Sequence, residues 1–142
     1  MSEQFSANVK ITKVKDAVAA GTTSQSSSTV DMLGYEGVIF LASFGTAAAN
    51  NSFNIQGSDD DSSYNDIAGS SVVNSTTDKN FFIDMHKPLK HRYYQLIALR
   101  GTSTTIENMW AIQYGAHSEA VVNVVSTKLF GKALVSPADG TP

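Results

Sequence analysis

Two neighbouring stretches of the sequence decide the fold: RYYQLIALR at residues 92–100 and TIENMWAIQY at residues 105–114. Both are rich in β-branched and aromatic residues, which favour strands over helices. The apolar side chains of the second stretch, Ile106, Trp110, Ile112 and Tyr114, are predicted to share one face, with Thr105, Glu107 and Gln113 on the other. The two stretches together predict a β-hairpin closed at Gly101, which is free to adopt a positive φ angle.

Outward from these stretches, short apolar runs alternate with Gly, Asn, Asp and Ser at intervals of about ten residues, and helix signals are nearly absent. This rhythm predicts an all-β fold, an antiparallel β-sandwich of about seven or eight strands. The run GVIFLASF at residues 37–44 is almost continuously apolar, as expected of a strand covered on both faces. Further strands are predicted at residues 8–14, 29–33, 52–56, 64–68, 71–73 and 80–85.

Composition narrows the possible partners. The chain has 142 residues, which suits one domain, and only 16% of them are charged, with a net charge of −3. No basic patch indicates nucleic acid, and no cysteine is present for a disulfide or a thiolate metal site. The first residues lack the pattern of a secretion signal, and the longest apolar run is too short to cross a bilayer. We therefore expect a protein of a soluble compartment, with neither a nucleic acid nor a membrane as its partner.

Residues 1–116 are predicted to form the sandwich, with a Ser/Thr-rich loop at residues 21–29. Residues 117–142 are predicted to form an extended C-terminal arm. An apolar arm in water promotes aggregation, so we expect it to lie on its own sandwich, on a sister subunit or on another protein. Its apolar residues are therefore candidates for partner binding: Val121, Val122, Val124, Val125, Leu129, Phe130, Leu134 and Val135.

A second candidate contact is a basic turn around Pro88. It contains His86, Lys87, Lys90 and His91. No acidic residue stands at a recognisable catalytic spacing from these histidines, so we interpret the turn as a solvated rim of the sandwich or a charged contact to a partner.

Two other clusters contain residue types that can carry chemistry. Residues 59–61 are three consecutive aspartates, whose side chains in an extended segment point to opposite faces and so converge poorly on a calcium ion. Trp110, Tyr93, Tyr94 and Tyr114 could form a carbohydrate-binding platform, although aromatics at strand spacing more often serve a core or an interface. No catalytic, metal or cofactor site is predicted, and an enzyme is not expected.

Several segments, taken in order, resemble one family. They are VDMLGYEGVIF at residues 30–40, QGSDD at 56–60, IAGS at 67–70, FID at 82–84, AIQYGA at 111–116 and SPADGT at 136–141. This series is similar to small virion proteins of tailed bacteriophages, commonly encoded close to the major capsid protein. The likeness covers roughly residues 15–142 and departs from the family at residues 86–91, where an Arg-Pro-rich turn would be expected.

The resemblance implies a cement or decoration protein with a jelly-roll-like sandwich, bound to the outer surface of an icosahedral capsid. It implies the major capsid protein as partner and a homo-oligomer, either a dimer or a trimer, located in the virion and assembled in the host cytoplasm. Two alternatives stay open: another virion component such as a head–tail connector, tail or fibre protein, and a carbohydrate-binding β-sandwich module.

Overall fold

The computed structural model of the chain describes residues 5–116. The predicted arm at residues 117–142, with its eight candidate partner-binding residues, lies outside this range. A short helix, α1 (Phe5–Asn8), precedes the first strand. The strands are β1 (Lys10–Lys15), β2 (Val18–Gly21), β3 (Gln25–Ser26), β4 (Val30–Asp31), β5 (Gly37–Ser43), β6 (Asn51–Ser58), β7 (Asn65–Asp66), β8 (Val72–Val73), β9 (Asn80–His86), β10 (Tyr93–Arg100), β11 (Thr104–Ile106) and β12 (Met109–Tyr114). No helix in residues 5–116 is long and apolar enough to cross a bilayer.

The strands form an antiparallel sandwich. One sheet has the order β1-β12-β5-β9, and the other has the order β3-β10-β6-β7, with β4 also pairing β10 and β8 also pairing β6. In both sheets, neighbouring strands are distant in sequence: β1 pairs with β12 in the first sheet, and β3 pairs with β10 in the second. When the two-residue strands are grouped with their neighbours, this is the jelly-roll order of two interlocked Greek keys. A small pair, β2 with β11, lies beside them.

The core lies between the two large sheets. Phe40 and Met109 enter it from the first sheet, and Ile55 and Leu96 enter it from the second, all at most 1% exposed. Three phenylalanines fix the packing at one end, because the Phe44 ring stacks on Phe53 at 4.4 Å and Phe81 lies edge-on to Phe44 at 6.0 Å. The alternation at residues 52–56, which predicts Phe53 and Ile55 inside, is confirmed.

The predicted all-β fold is confirmed. Seven strands have four or more residues, and β11 with three is the eighth; the remaining four strands are two-residue pairings. The sequence predicts six of the seven longer strands, because each of these carries an apolar inner face, and it misses β2, which has no buried residue. Of the two-residue strands, β4, β7 and β8 lie inside the predicted strands at residues 29–33, 64–68 and 71–73, whereas β3 lies in the segment predicted as a loop.

The predicted hairpin at Gly101 is wrong. β10 pairs with β6, β3 and β4, whereas β12 pairs with β1 and β5 in the opposite sheet. The second stretch is interrupted between β11 and β12 and therefore crosses from one side of the sandwich to the other. Gly101 does not adopt a positive φ angle. Gly101 instead allows a close approach of the backbone, because a Cβ there would lie 2.5 Å from the backbone oxygen of Asn50.

The predicted Ser/Thr-rich loop at residues 21–29 is mostly outside strands, with short strand pairing at Gly21 and at Gln25–Ser26. It contains β3, which pairs with Ile97 and Ala98 of β10. Arg100 holds the preceding turn, since its buried guanidinium donates hydrogen bonds to the carbonyl oxygens of Thr23, Ala19 and Thr104 at 2.8–2.9 Å. Among the hydroxyls of the segment, that of Ser27 accepts a hydrogen bond of 2.9 Å from the backbone N–H of Leu96.

Candidate functional site

The outer side of the first sheet carries a row of apolar side chains. Trp110 on β12 lies directly opposite Leu41 on β5, which lies opposite Phe82 on β9. Residues opposite each other in an antiparallel pair point to the same side, so these three form one stripe. Ile112 and Ile39 form a second, parallel pair. We call these five residues the open face.

The open face is exposed in the described structure. Phe82 is 68% exposed and Leu41 is 38% exposed, while Ile39, Trp110 and Ile112 are half-buried. Two sequence predictions are corrected here. The four apolar residues predicted to share one face do not, because Ile106 is buried in the core, whereas Trp110, Ile112 and Tyr114 lie on the outer side of β12. The prediction that residues 37–44 are covered on both faces is met only in part within residues 5–116, where Gly37 lies under the Tyr114 ring and Ile39 is half-buried, but Leu41 is 38% exposed.

Tyr114 borders the open face and locks three strands together. Its hydroxyl donates a hydrogen bond of 2.6 Å to Oδ1 of Asp84, two strands away. The ring reaches that far by lying across Gly37, where a Cβ would stand 2.3 Å from the ring carbon Cζ. Burial and the bond to the Asp84 carboxylate raise the pKa of Tyr114 to about 12. Gly37 is therefore needed for its lack of a side chain.

The basic turn begins at the same end of the open face. His86 ends β9 and is exposed, and the peptide bond between Lys87 and Pro88 is cis. Lys87 is tied to the sheet, since its Nζ lies 2.6 Å from Oε1 of Glu36 and its backbone N–H donates to the Glu36 carbonyl. Lys90 is exposed and forms no salt bridge within residues 5–116. The four predicted contact residues are thus close in space, but they differ in availability.

His91 is the most enclosed of the four, with a side chain only 14% exposed. Its ring packs over Gly57, and its Nδ1 lies 3.1 Å from Oδ1 of Asp59. Its backbone N–H donates to the hydroxyl of Tyr94. Asp59 is 32 positions away in sequence, so a search for acidic partners at motif spacing misses this pair. The arrangement anchors the turn to β6 and β10.

A cleft of about 470 Å³ separates the basic turn from the segment at residues 65–68. Pro88, Leu89 and Tyr94 line one side, and Ile67 lies opposite them. The described residues contain no group of three or more His, Cys, Asp or Glu side chains placed to hold a metal ion. The lining is mixed, because the polar and charged residues Asn65, Asp66, Lys90 and His91 also border the cleft.

The three consecutive aspartates point to three different partners. Asp59 pairs with His91, and the hydroxyl of Tyr64 donates a hydrogen bond to Asp61. Asp60 accepts hydrogen bonds from the backbone N–H of Ser63 and of Ser62 and from the hydroxyl of Ser58. These donors, the Ser63 N–H first, hold the pKa of Asp60 well below its usual range. The carboxylates organise a turn and diverge from one another.

The four aromatic residues considered for a carbohydrate platform do not form one. Trp110 and Tyr114 lie on the outer side of the first sheet, whereas Tyr93 and Tyr94 belong to the second. Tyr94 is 1% exposed and belongs to the core. Tyr93 is half-buried, with the guanidinium carbon of Arg92 at 5.0 Å from its ring centre. The sequence indicated the open face, because β12 and β5 carry apolar residues on both of their sides.

Fold and surface together define the class: a small jelly-roll sandwich with an apolar sheet face bordered by a basic turn. Among solved structures, the chain is similar to the PBSX exported protein XepA, with a TM-score of 0.54 and 19% sequence identity. The match covers 95% of this chain and 46% of XepA, so the chain spans less than half of that protein's length. This likeness shows the shared fold. No protein-family model matches the chain, and no curated protein matches it significantly.

Proposed function

We propose that this is a non-enzymatic structural protein of a tailed bacteriophage, which binds the outside of an icosahedral capsid and stabilises it. Its partners are the major capsid protein and further copies of itself, as a dimer or trimer. The observation that carries the proposal is the open face: a sheet with apolar side chains on both sides, one of them exposed. The fold likeness to a phage PBSX exported protein supports a phage-related role.

Covering the open face supplies the binding energy in this proposal. Each Å² of apolar surface removed from water contributes about 25 cal/mol, less the cost of ordering the groups involved. A face such as that around Leu41 and Phe82 therefore gains from being covered. A protein present in many copies on one shell also needs only a weak contact per copy, because the contacts act together. The low charge content of the chain fits surfaces of this kind.

The basic turn is proposed as the charged part of the capsid contact. Lys90→Glu should weaken co-sedimentation with capsids by roughly fivefold, because a reversed charge at an interface rim replaces attraction with repulsion. Lys79→Glu is the matched control, since Lys79 is also exposed but precedes β9, at the opposite end of that strand from the turn. Equal binding by both variants would remove the turn from the contact.

Copy number separates this proposal from another virion role. A decoration protein covers the shell in many copies, whereas a head–tail connector forms a single ring. Quantitative mass spectrometry of purified particles, with the major capsid protein as internal standard, gives the ratio. A ratio that fits one ring would replace the decoration role with a connector role.

A carbohydrate-binding module is the second candidate, favoured by the half-buried Trp110 on the open face. A glycan array with Trp110→Ala as control tests it. Binding that Trp110→Ala abolishes would establish this alternative, and an array without signal would eliminate it.

A further inference from the structure

We propose that the open face is the docking site for residues 121–135 of the same chain, which cover it in the free protein. This docking belongs to the isolated molecule, and the capsid contact proposed above requires the segment to leave the open face. Three observations carry it: the face is apolar and exposed, the chain continues from the strand that carries it, and the continuing sequence is apolar.

The first observation is the mismatch between sequence and packing in β5 and β12. Both strands are apolar on both sides, as strands buried between two layers are. In residues 5–116 the outer side is covered only in part, and Phe82 on the neighbouring strand is 68% exposed. Lys13, opposite Trp110, and Asp84, opposite Ile39, lie on the same side, so the face is predominantly apolar. Such a face marks a surface that another segment or molecule covers. The sheet therefore lacks an outer layer.

The second observation is where the described chain ends. β12 carries Trp110 and Ile112 and ends at Tyr114, and Gly115 then adopts a φ of 66°. A left-handed residue stops the extended strand and lets the chain change direction. A Cβ at Gly115 would also lie 2.6 Å from Cβ of Glu36, so the close passage requires glycine. The chain leaves the sandwich at the edge of the open face.

The third observation is the length and composition of the sequence beyond residue 116. Residues 121–135 contain eight large apolar residues, and their only charged side chains are Lys128 and Lys132. Fifteen residues span about 50 Å when extended, whereas four strands at about 4.8 Å spacing make a face about 15 Å wide. The four residues at 117–120 bridge about 13 Å, which equals the rise from Tyr114 back to Trp110. The segment is long enough to cover the face.

The tether decides between possible occupants. A segment joined to the face by four residues is present at an effective concentration in the millimolar range, which a separate molecule in dilute solution does not reach. The same-chain segment is therefore the occupant of the free protein, and a second copy or a capsid subunit is an outcome that the test distinguishes.

The experiment uses the full chain, which contains no cysteine, so one introduced cysteine is unique. Ser126→Cys replaces a polar residue between the apolar pairs, and it takes a nitroxide spin label without removing an apolar group. We expect strong paramagnetic broadening of the methyl signals of Ile39, Leu41 and Ile112. Leu99, 42% exposed on β10 of the other sheet, is the matched control and should keep its signal.

A mixing experiment distinguishes docking within one chain from docking between two copies. Spin-labelled chains without isotope are mixed with isotope-labelled chains without the spin label, so that only contacts between copies cause broadening. Broadening within one chain and none in the mixture supports the proposal. Broadening in the mixture alone assigns the face to a second copy and overturns it. Equal effects at Leu99 and Leu41, or no effect at either, also overturn it.

A face variant provides a second readout. Phe82→Asp should reduce the broadening at Leu41 severalfold, because a charge on the face weakens apolar docking, and the 68% exposure of Phe82 lets the fold tolerate it. Unchanged broadening in Phe82→Asp would contradict docking on this face. Capsid co-sedimentation is a separate measurement, so either proposal can fail without the other.

Discussion

Gly37→Ala tests how the open face is held together. In the structure a Cβ at position 37 would lie 2.3 Å from Cζ and 2.4 Å from Oη of Tyr114. Ordinary van der Waals contact begins at 3.4 Å, so the ring must move by about 1 Å, the difference between 3.4 and 2.3 Å. That movement breaks the 2.6 Å hydrogen bond from Tyr114 to Asp84.

The expected cost comes from that lost bond. A hydrogen bond to an ionised acceptor contributes about 1.5–3 kcal/mol, and partial exposure of this pair places it at the lower end. Gly→Ala in extended backbone returns about 0.4–1 kcal/mol by restricting the unfolded chain. The net loss of unfolding free energy should be about 1 kcal/mol, which lowers Tm by about 4 °C.

Urea denaturation of four proteins measures the effect: wild type, Gly37→Ala, Tyr114→Ala and the double variant. In the Tyr114→Ala background there is no ring to displace, so Gly37→Ala should cost nothing or stabilise slightly. The coupling energy between the two sites should be about 1 kcal/mol. If Gly37→Ala costs the same with and without the tyrosine ring, the account of Gly37 as space for that ring is refuted.

Three more variants probe the packing and the titration of the sandwich. Arg100→Met should lose about 3 kcal/mol of unfolding free energy, because three carbonyl oxygens lose their hydrogen-bond donor. Arg92→Met is the control, since Arg92 belongs to an exposed ion pair and its loss should leave the unfolding free energy nearly unchanged. Denaturant midpoints of the two variants measure the difference. Phe53→Ala should lose about 3–5 kcal/mol by opening a cavity under the stacked rings, and a loss below that of Arg92→Met would contradict its core placement. The pKa of Tyr114 is raised to about 12 from 10.0, so the unfolded chain releases this proton first and stability falls as pH rises from 10 to 12. Tyr114→Phe should reduce that slope in unfolding measurements across this range, and an unchanged slope would exclude the Tyr114 hydroxyl as its source.

Local sequence patterns were enough to predict six of the seven strands that have four or more residues, all except β2. Apolar alternation at residues 52–56 placed Phe53 and Ile55 inside, and alternation at residues 80–85 put Phe81, Ile83 and Met85 on one face, which packs against the core. Pro88 lies in the predicted basic turn, beyond the end of β9. Such features are local, because side-chain alternation and the missing N–H of proline act within a few residues. A strand's existence can therefore be predicted without knowledge of its neighbours.

Which side of a strand is the inside depended on the folded chain as a whole. Alternation placed Ile106 and Trp110 on one face, whereas the structure buries Ile106 together with Met109 and leaves Trp110 on the outer side. Pairing between distant strands likewise placed β10 and β12 in opposite sheets and brought Asp59 to His91. Register and sheet order depend on contacts between residues far apart in sequence, which a local pattern does not encode. The open face exists because that long-range pairing left the aromatic side of β12 outward.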